Sequence, residues 1–442
     1  MVRKSSMAII FIVILIDMIG FGIIVPFLTY MVENLSEPGQ PIGRWVAGLM
    51  AAYAAAMFLF SPFWGALSDR IGRRPVLMFG LIGNSVAFVV FGLSNSLWMA
   101  LGARLFAGMV NANLSVTRAY IGDISEPHEV ARRQGILGVA FGVGFSIGPA
   151  IGGVLSAPAE WGWTDAFVST IFETYPYLLP CVVSASLSFV GFLFAITKLD
   201  ESLPKKEREQ VEKRSASETI KTNLSNIGKM FNRPVVSPLL WSMALFWIGF
   251  TMMHVIFILF TMRSISEGGY GFSESDNGII FTVIGLSGIV TQGALIGPLT
   301  DRFGSTKLLA VGFLVAGFGL SSIPYVPPEF AMMGTILVSI IIAFGNGLVT
   351  PSNMTLLTYA SGTNERGTVM GVSESLRSIS ALFGVLIGGW LWDATVNRDD
   401  VFDFHTSFRL CGIFAVLAWA CFRFSKAWRF EDDLFSEAGD AE

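Results

Sequence analysis

A chain of 442 residues with 53% hydrophobic and only 14% charged side chains cannot hide its apolar surface from water in a soluble fold, so lipid is the solvent for most of it. The net charge of −4 says little about partners, because the charges are segregated by loop, and no nucleic-acid partner is expected. Three cysteines (Cys181, Cys411 and Cys421) all fall inside apolar runs, against a disulfide framework or a metal site.

Apolar runs of about 20 residues, the length of one helical crossing, lie near 7–31, 45–64, 75–93, 97–120, 135–157 and 176–197. Six more follow near 235–262, 276–298, 307–326, 329–357, 368–392 and 407–428. The first run exceeds the roughly 7–15-residue core of a signal peptide and lacks a clear cleavage site, so it is expected to stay as helix 1. Twelve crossings put both termini on one side. The connections on that side carry most of the 29 Lys and Arg, while the opposite ones carry only Arg44, Arg263, Arg398 and Arg409. The positive-inside rule therefore predicts cytoplasmic termini. The expected organisation is an amino-terminal six-helix bundle (1–199), a polar cytoplasmic linker (200–234), a carboxy-terminal six-helix bundle (235–428) and an acidic cytoplasmic tail (429–442).

Between the second and third runs stands Gly65-Ala66-Leu67-Ser68-Asp69-Arg70-Ile71-Gly72-Arg73-Arg74-Pro75, a charged, glycine-punctuated turn. An echo between the eighth and ninth runs keeps Gly297, Leu299, Asp301, Arg302 and Gly304 in register with Gly65, Leu67, Asp69, Arg70 and Gly72. Gly108 likewise aligns with Gly347, and the Gly148–Gly153 segment with Gly384–Gly389, so the chain reads as a duplication. The paired turns resemble the loop signature of the major facilitator superfamily. That resemblance implies an all-α membrane protein of twelve transmembrane helices in two pseudo-symmetric six-helix bundles, with a substrate cavity near the midplane.

Helix 1 contains Asp17, about 15 Å deep by helical rise. A carboxyl there is a functional candidate by default, the alternative being a buried acid neutralised by hydrogen bonds. The spacing of Asp17, Gly20, Gly22 and Pro26 resembles the helix 1 signature of twelve-helix drug and proton antiporters, tetracycline exporters among them, which implies a proton- or cation-binding acid. In helix 4, Arg104 and Gly108 match that family's Arg-xxx-Gly pattern, which implies a part in proton transfer; Arg104 is expected to hold or bias a carboxylate, or to form a static pair. Asn111, Asn113, Asn346 and Asn353 supply uncharged donors and acceptors at cavity depth, for substrate or for helix neighbours. Phe246 and Phe250 would suit a greasy substrate, although lipid contact also explains them.

The resemblance further implies a cytoplasmic charge network of Asp69, Arg73 and Asp123, closed in one state and broken in the other, with Gly65, Arg70, Gly72, Asp301 and Arg302 completing the gate. Gly144, Gly148, Pro149, Gly152 and Gly153 of helix 5 form a stripe that admits a close neighbour, and its Gly-Pro-xx-Gly-Gly ending resembles the antiporter motif of exporters. His254 could titrate near neutrality or serve as a packing residue. Glu374 and Arg377, three apart on helix 11, form either a structural pair or part of the coupling. No acid stands between Lys307 and Val326, where tetracycline exporters carry one, which weakens tetracycline itself as substrate.

The expected function is a proton-coupled antiporter that exports a small amphipathic or lipophilic compound by alternating access, a monomer powered by the proton gradient without cofactor or metal, in a bacterial inner membrane. A uniporter or symporter of a polar metabolite is the second transport reading. A transporter-like receptor or scaffold without flux is the third. No nucleophile with a base at useful spacing, no phosphate loop and no metal cluster points to an enzyme.

Overall fold

In hydrocarbon every backbone polar group must find its partner inside the protein, and a helix does so within its own segment. The computed structural model describes residues 2–111, 113–125, 130–156, 171–203, 230–361, 366–398 and 400–431, and no strand occurs among them. All twelve expected crossings are helical. They are α1 (Val2–Ile24), α2 (Ile42–Ile71), α3 (Arg73–Gly92), α4 in two pieces (Leu97–Val110 and Asn113–Ile124), α5 (Val130–Ser156) and α6 (Leu178–Lys198). The second set is α7 (Val236–Thr261), α8 (Glu274–Phe303), α9 (Ser305–Ser322), α10 (Ala331–Tyr359), α11 (Arg366–Thr395) and α12 (His405–Arg423). Of the described helices, ten are individually long and apolar enough to cross a bilayer. The expected linker and tail lie outside the described residues except at their edges, 200–203, 230–234 and 429–431.

Local chemistry sets the breaks. Pro26, which has no N–H to donate, follows the end of α1, and a short helix, Leu28–Leu35, carries the chain on. The turns α2–α3 and α8–α9 each pass through a glycine with positive φ, Gly72 at 111° and Gly304 at 78°, a conformation that disfavours any side chain. Each of these glycines also donates its N–H four residues back, to Ser68 and to Thr300. The duplicated signature is thus a duplicated backbone geometry.

The chain divides into two compact units. The first comprises residues up to Thr219 together with Phe272–Gly285, the second the remainder. In the first, α1 packs on α5 and α6, and α3 on α4 and α6; in the second, α7 packs on α11 and α12, and α9 on α10 and α12. The pairing scheme is the same with every helix number raised by six. Ile10, Ile14, Leu77, Leu81 and Tyr120 lie in the first core, and Phe246, Phe313, Val349, Leu356 and Phe422 in the second.

Candidate functional site

Glycines let α1 reach its neighbours. A Cβ on Gly144, Gly148 or Gly152 of α5 would collide with Met18, Gly22 or Ile23 of α1, so the four-apart stripe is where α5 lies against α1. Gly153 faces the other way, toward the Glu274–Gly278 stretch grouped with the same unit, and its carbonyl accepts from Ser275 Oγ at 3.3 Å. This packing holds Asp17 inside the unit, 1% exposed.

The Asp17 carboxylate accepts one bond on each oxygen, from Asn84 Nδ2 of α3 at 3.0 Å and from Asn113 Nδ2 at 3.1 Å. Asn113 begins the second piece of α4. Its backbone N–H, left without a helical partner by the interruption, donates to Asn111 Oδ1 at 3.3 Å. Asn111 Nδ2 in turn donates to Tyr53 Oη at 2.6 Å. The Tyr53 ring lies 4.5 Å from the Arg104 guanidinium carbon, with the Phe91 ring at 5.7 Å. A continuous buried polar chain therefore runs from the acid through the broken helix to the arginine. Gly80 makes the room, since a Cβ there would overlap Asn113 Oδ1.

Arg104 does not meet a carboxylate as expected. Among the described residues it forms no ion pair, its Nε has no partner, and two aromatic faces cover its cation instead. Asp17 likewise receives its hydrogen bonds from neutral amides. Sequence reasoning singled out Asn111 and Asn113 but missed Asn84 and Tyr53. Asn84 was detectable as a polar amide in the middle of the apolar α3 run.

At the α2–α3 turn, Arg73 bridges Asp69 through Nη1 (2.5 Å) and Asp123 through Nε (3.1 Å), and donates to Ser68 Oγ at 2.6 Å. Arg70 is exposed, and Gly65 and Gly297 face open space. Among the described residues, the second half does not repeat the cluster. Asp301 and Arg302 are exposed, Arg302 lying over the Phe303 ring, and Ser305 stands where Arg73 would.

In the second unit, Glu374 and Arg377 form a two-pronged pair, with Arg377 Nε to Glu374 Oε2 at 2.9 Å. The guanidinium lies 4.8 Å from the centre of the Trp247 ring. Phe250 stands edge-on between Trp247 and His254, and His254 Nδ1 bonds the Phe250 carbonyl at 3.0 Å, the packing arrangement of a helical histidine. Phe246, expected at the cavity, has no exposed surface; it is stacked with Phe250 and tilted against Phe313 in the core. Asn346 takes a bond from Thr350 at 3.4 Å. Asn353 is fully buried, and among the described residues neither of its amide atoms is paired. No group of metal-ligating side chains occurs among the described residues.

The family model described as Major Facilitator Superfamily matches residues 10–385. A probable peptide/nitrate transporter of Arabidopsis thaliana is 27% identical over 85% of this chain and 80% of its own length. A class E tetracycline resistance protein of Escherichia coli is 27% identical over 89% of each chain. The crystal structure of a bacterial homologue of the human lysosomal transporter Spinster superposes with a TM-score of 0.72 at 16% identity, covering 95% of this chain and 96% of the other.

Proposed function

The chain belongs to the major facilitator superfamily, integral multi-pass membrane transporters and not enzymes, and on that footing we propose that it is a proton-coupled antiporter exporting a small amphipathic or lipophilic compound by alternating access. The observation that carries the reading is Asp17: a carboxyl at membrane depth whose two hydrogen-bond donors are neutral amides. A carrier acid needs such a setting, because a fixed cation beside it would hold its charge permanently. Asn84 and Asn113 orient the carboxyl without supplying that charge, so a proton can occupy the site in one half of the cycle and leave it in the other. Competition between protonation and substrate binding would keep the two loads on separate crossings.

The export direction draws support from the likeness to the tetracycline resistance protein. The Asp69–Arg73–Asp123 cluster is read as the cytoplasmic gate, and the reading has the chain as a monomer in a bacterial inner membrane with both termini cytoplasmic. The likeness to a probable peptide/nitrate transporter favours a second reading, a symporter of a polar solute.

Reconstituted vesicles with a preset pH gradient separate the two. Compounds chosen because they stabilise the purified protein against heat are added on the substrate side. An antiporter releases the gradient by moving protons against the compound. Comovement of protons with the compound overturns the antiport reading.

A further inference from the structure

We infer that the second unit carries a site for the acid group of an amphipathic organic anion, built on Arg377 of α11 and the ring faces of α7. The inference rests on the transport reading above and names the class of compound such a transporter would take.

Arg377 lies eight residues into the apolar span Val369–Thr395, about 12 Å along the helix. At that depth an ion pair turned toward lipid is costly, and such residues line a polar space instead. Yet the Arg377 and Glu374 side chains are 35% and 27% exposed. The open surface of this pair therefore belongs to water or a ligand.

The chemistry of that surface is donor-rich. Both Glu374 oxygens are taken by Arg377 Nε and Nη2. The remaining nitrogen, Nη1, has no protein partner among the described residues. Trp247, whose ring underlies the guanidinium, keeps its indole N–H buried and, among the described residues, without an acceptor. A basic ligand would find the acid's oxygens already engaged, whereas a carboxylate or sulfonate would find free N–H groups in the planar geometry that guanidinium offers. Phe250, next to Trp247, adds a half-buried aromatic surface for the apolar body of the ligand. Glu374 then acts as the internal occupant that an incoming acid displaces in part.

The test is equilibrium binding to the full-length protein in lipid nanodiscs, without any gradient, using 1-naphthoate, 1-naphthamide and 1-naphthylmethylamine. Naphthoate is expected to bind at least tenfold more tightly than the amide or the amine. Arg377→Gln should weaken naphthoate at least tenfold and leave the amide unchanged, and Glu374→Gln, which removes the competing acid, should tighten naphthoate severalfold. If Arg377→Gln does not fold, Glu374→Gln decides alone. Equal affinities for the three probes, undiminished naphthoate binding by Arg377→Gln, or weaker binding by Glu374→Gln overturns the site. Because no proton gradient is applied, failure of the antiport reading leaves this measurement intact, and failure of the site leaves proton exchange untouched.

Discussion

Glu201 and Glu431 hold the same position in the two halves of the molecule. Glu201, just past α6, accepts from the backbone N–H groups of Arg73 and Arg74 at 2.8 and 3.2 Å. Glu431, past α12, accepts from those of Ser305 and Thr306 at 3.0 and 2.7 Å. Each carboxylate thus straddles the first turn of the third helix in its half, where unpaired N–H groups and the helix dipole both favour an anion. Glu431, within the expected acidic tail, is a buried helix cap, 8% exposed.

Removing either cap should cost stability. Glu431→Ala leaves two buried N–H groups without acceptors, a loss of about 1–3 kcal/mol. Thermal unfolding in detergent should fall by several degrees for Glu431→Ala and for Glu201→Ala. Glu329→Ala, at an exposed turn before α10, serves as the control and should leave the transition in place. An unchanged transition in both cap variants would show that the caps are dispensable.

Gly80 is predicted to matter through Asn113. A methyl group at Gly80 would push the Asn113 amide off Asp17, whereas one at Gly102, on the exposed face of α4, meets nothing within 4 Å. Gly80→Ala should lower proton-coupled flux at least fivefold in vesicles. Gly102→Ala should keep flux and gain up to about 1 kcal/mol from helix propensity. Equal flux in the two variants would mean that the Asn113–Asp17 bond is not used.

Arg73 is predicted to couple Asp69 to Asp123. Its planar fork reaches both acids and Ser68 at once, which a lysine's point charge cannot reproduce. A double-mutant cycle of Asp69→Asn and Asp123→Asn, read by thermal stability, should give a coupling energy of about 0.5–3 kcal/mol. Arg73→Lys should abolish most of that coupling. Additive single effects would indicate that the two acids act independently.

Much of this architecture was legible in the sequence because it is local or repeated. Apolar run length defines each crossing, Gly72 and Gly304 mark turns that need positive φ, and the glycine spacing of α5 predicts a close neighbour. What escaped depends on contacts between distant segments. Nothing in Asn111-Ala112-Asn113 contains the proline or glycine that announces a helix break, and the side chains that reward that break, Asp17 and Tyr53, lie on other helices. Arg104 was matched to a carboxylate on charge alone, although aromatic faces can also hold a buried guanidinium. Glu201 and Glu431 look like ordinary linker and tail acids until the fold brings them to α3 and α9.

Proton-coupled transport requires that the carboxyl at Asp17 exchange a proton in each cycle. The most direct measurement is release of a preset pH gradient from vesicles on addition of a transported compound, comparing the native protein with Asp17→Asn, which keeps the shape but cannot titrate. The native protein should discharge the gradient while Asp17→Asn leaves it standing, even though the variant still binds the compound. Full discharge by Asp17→Asn would contradict the account.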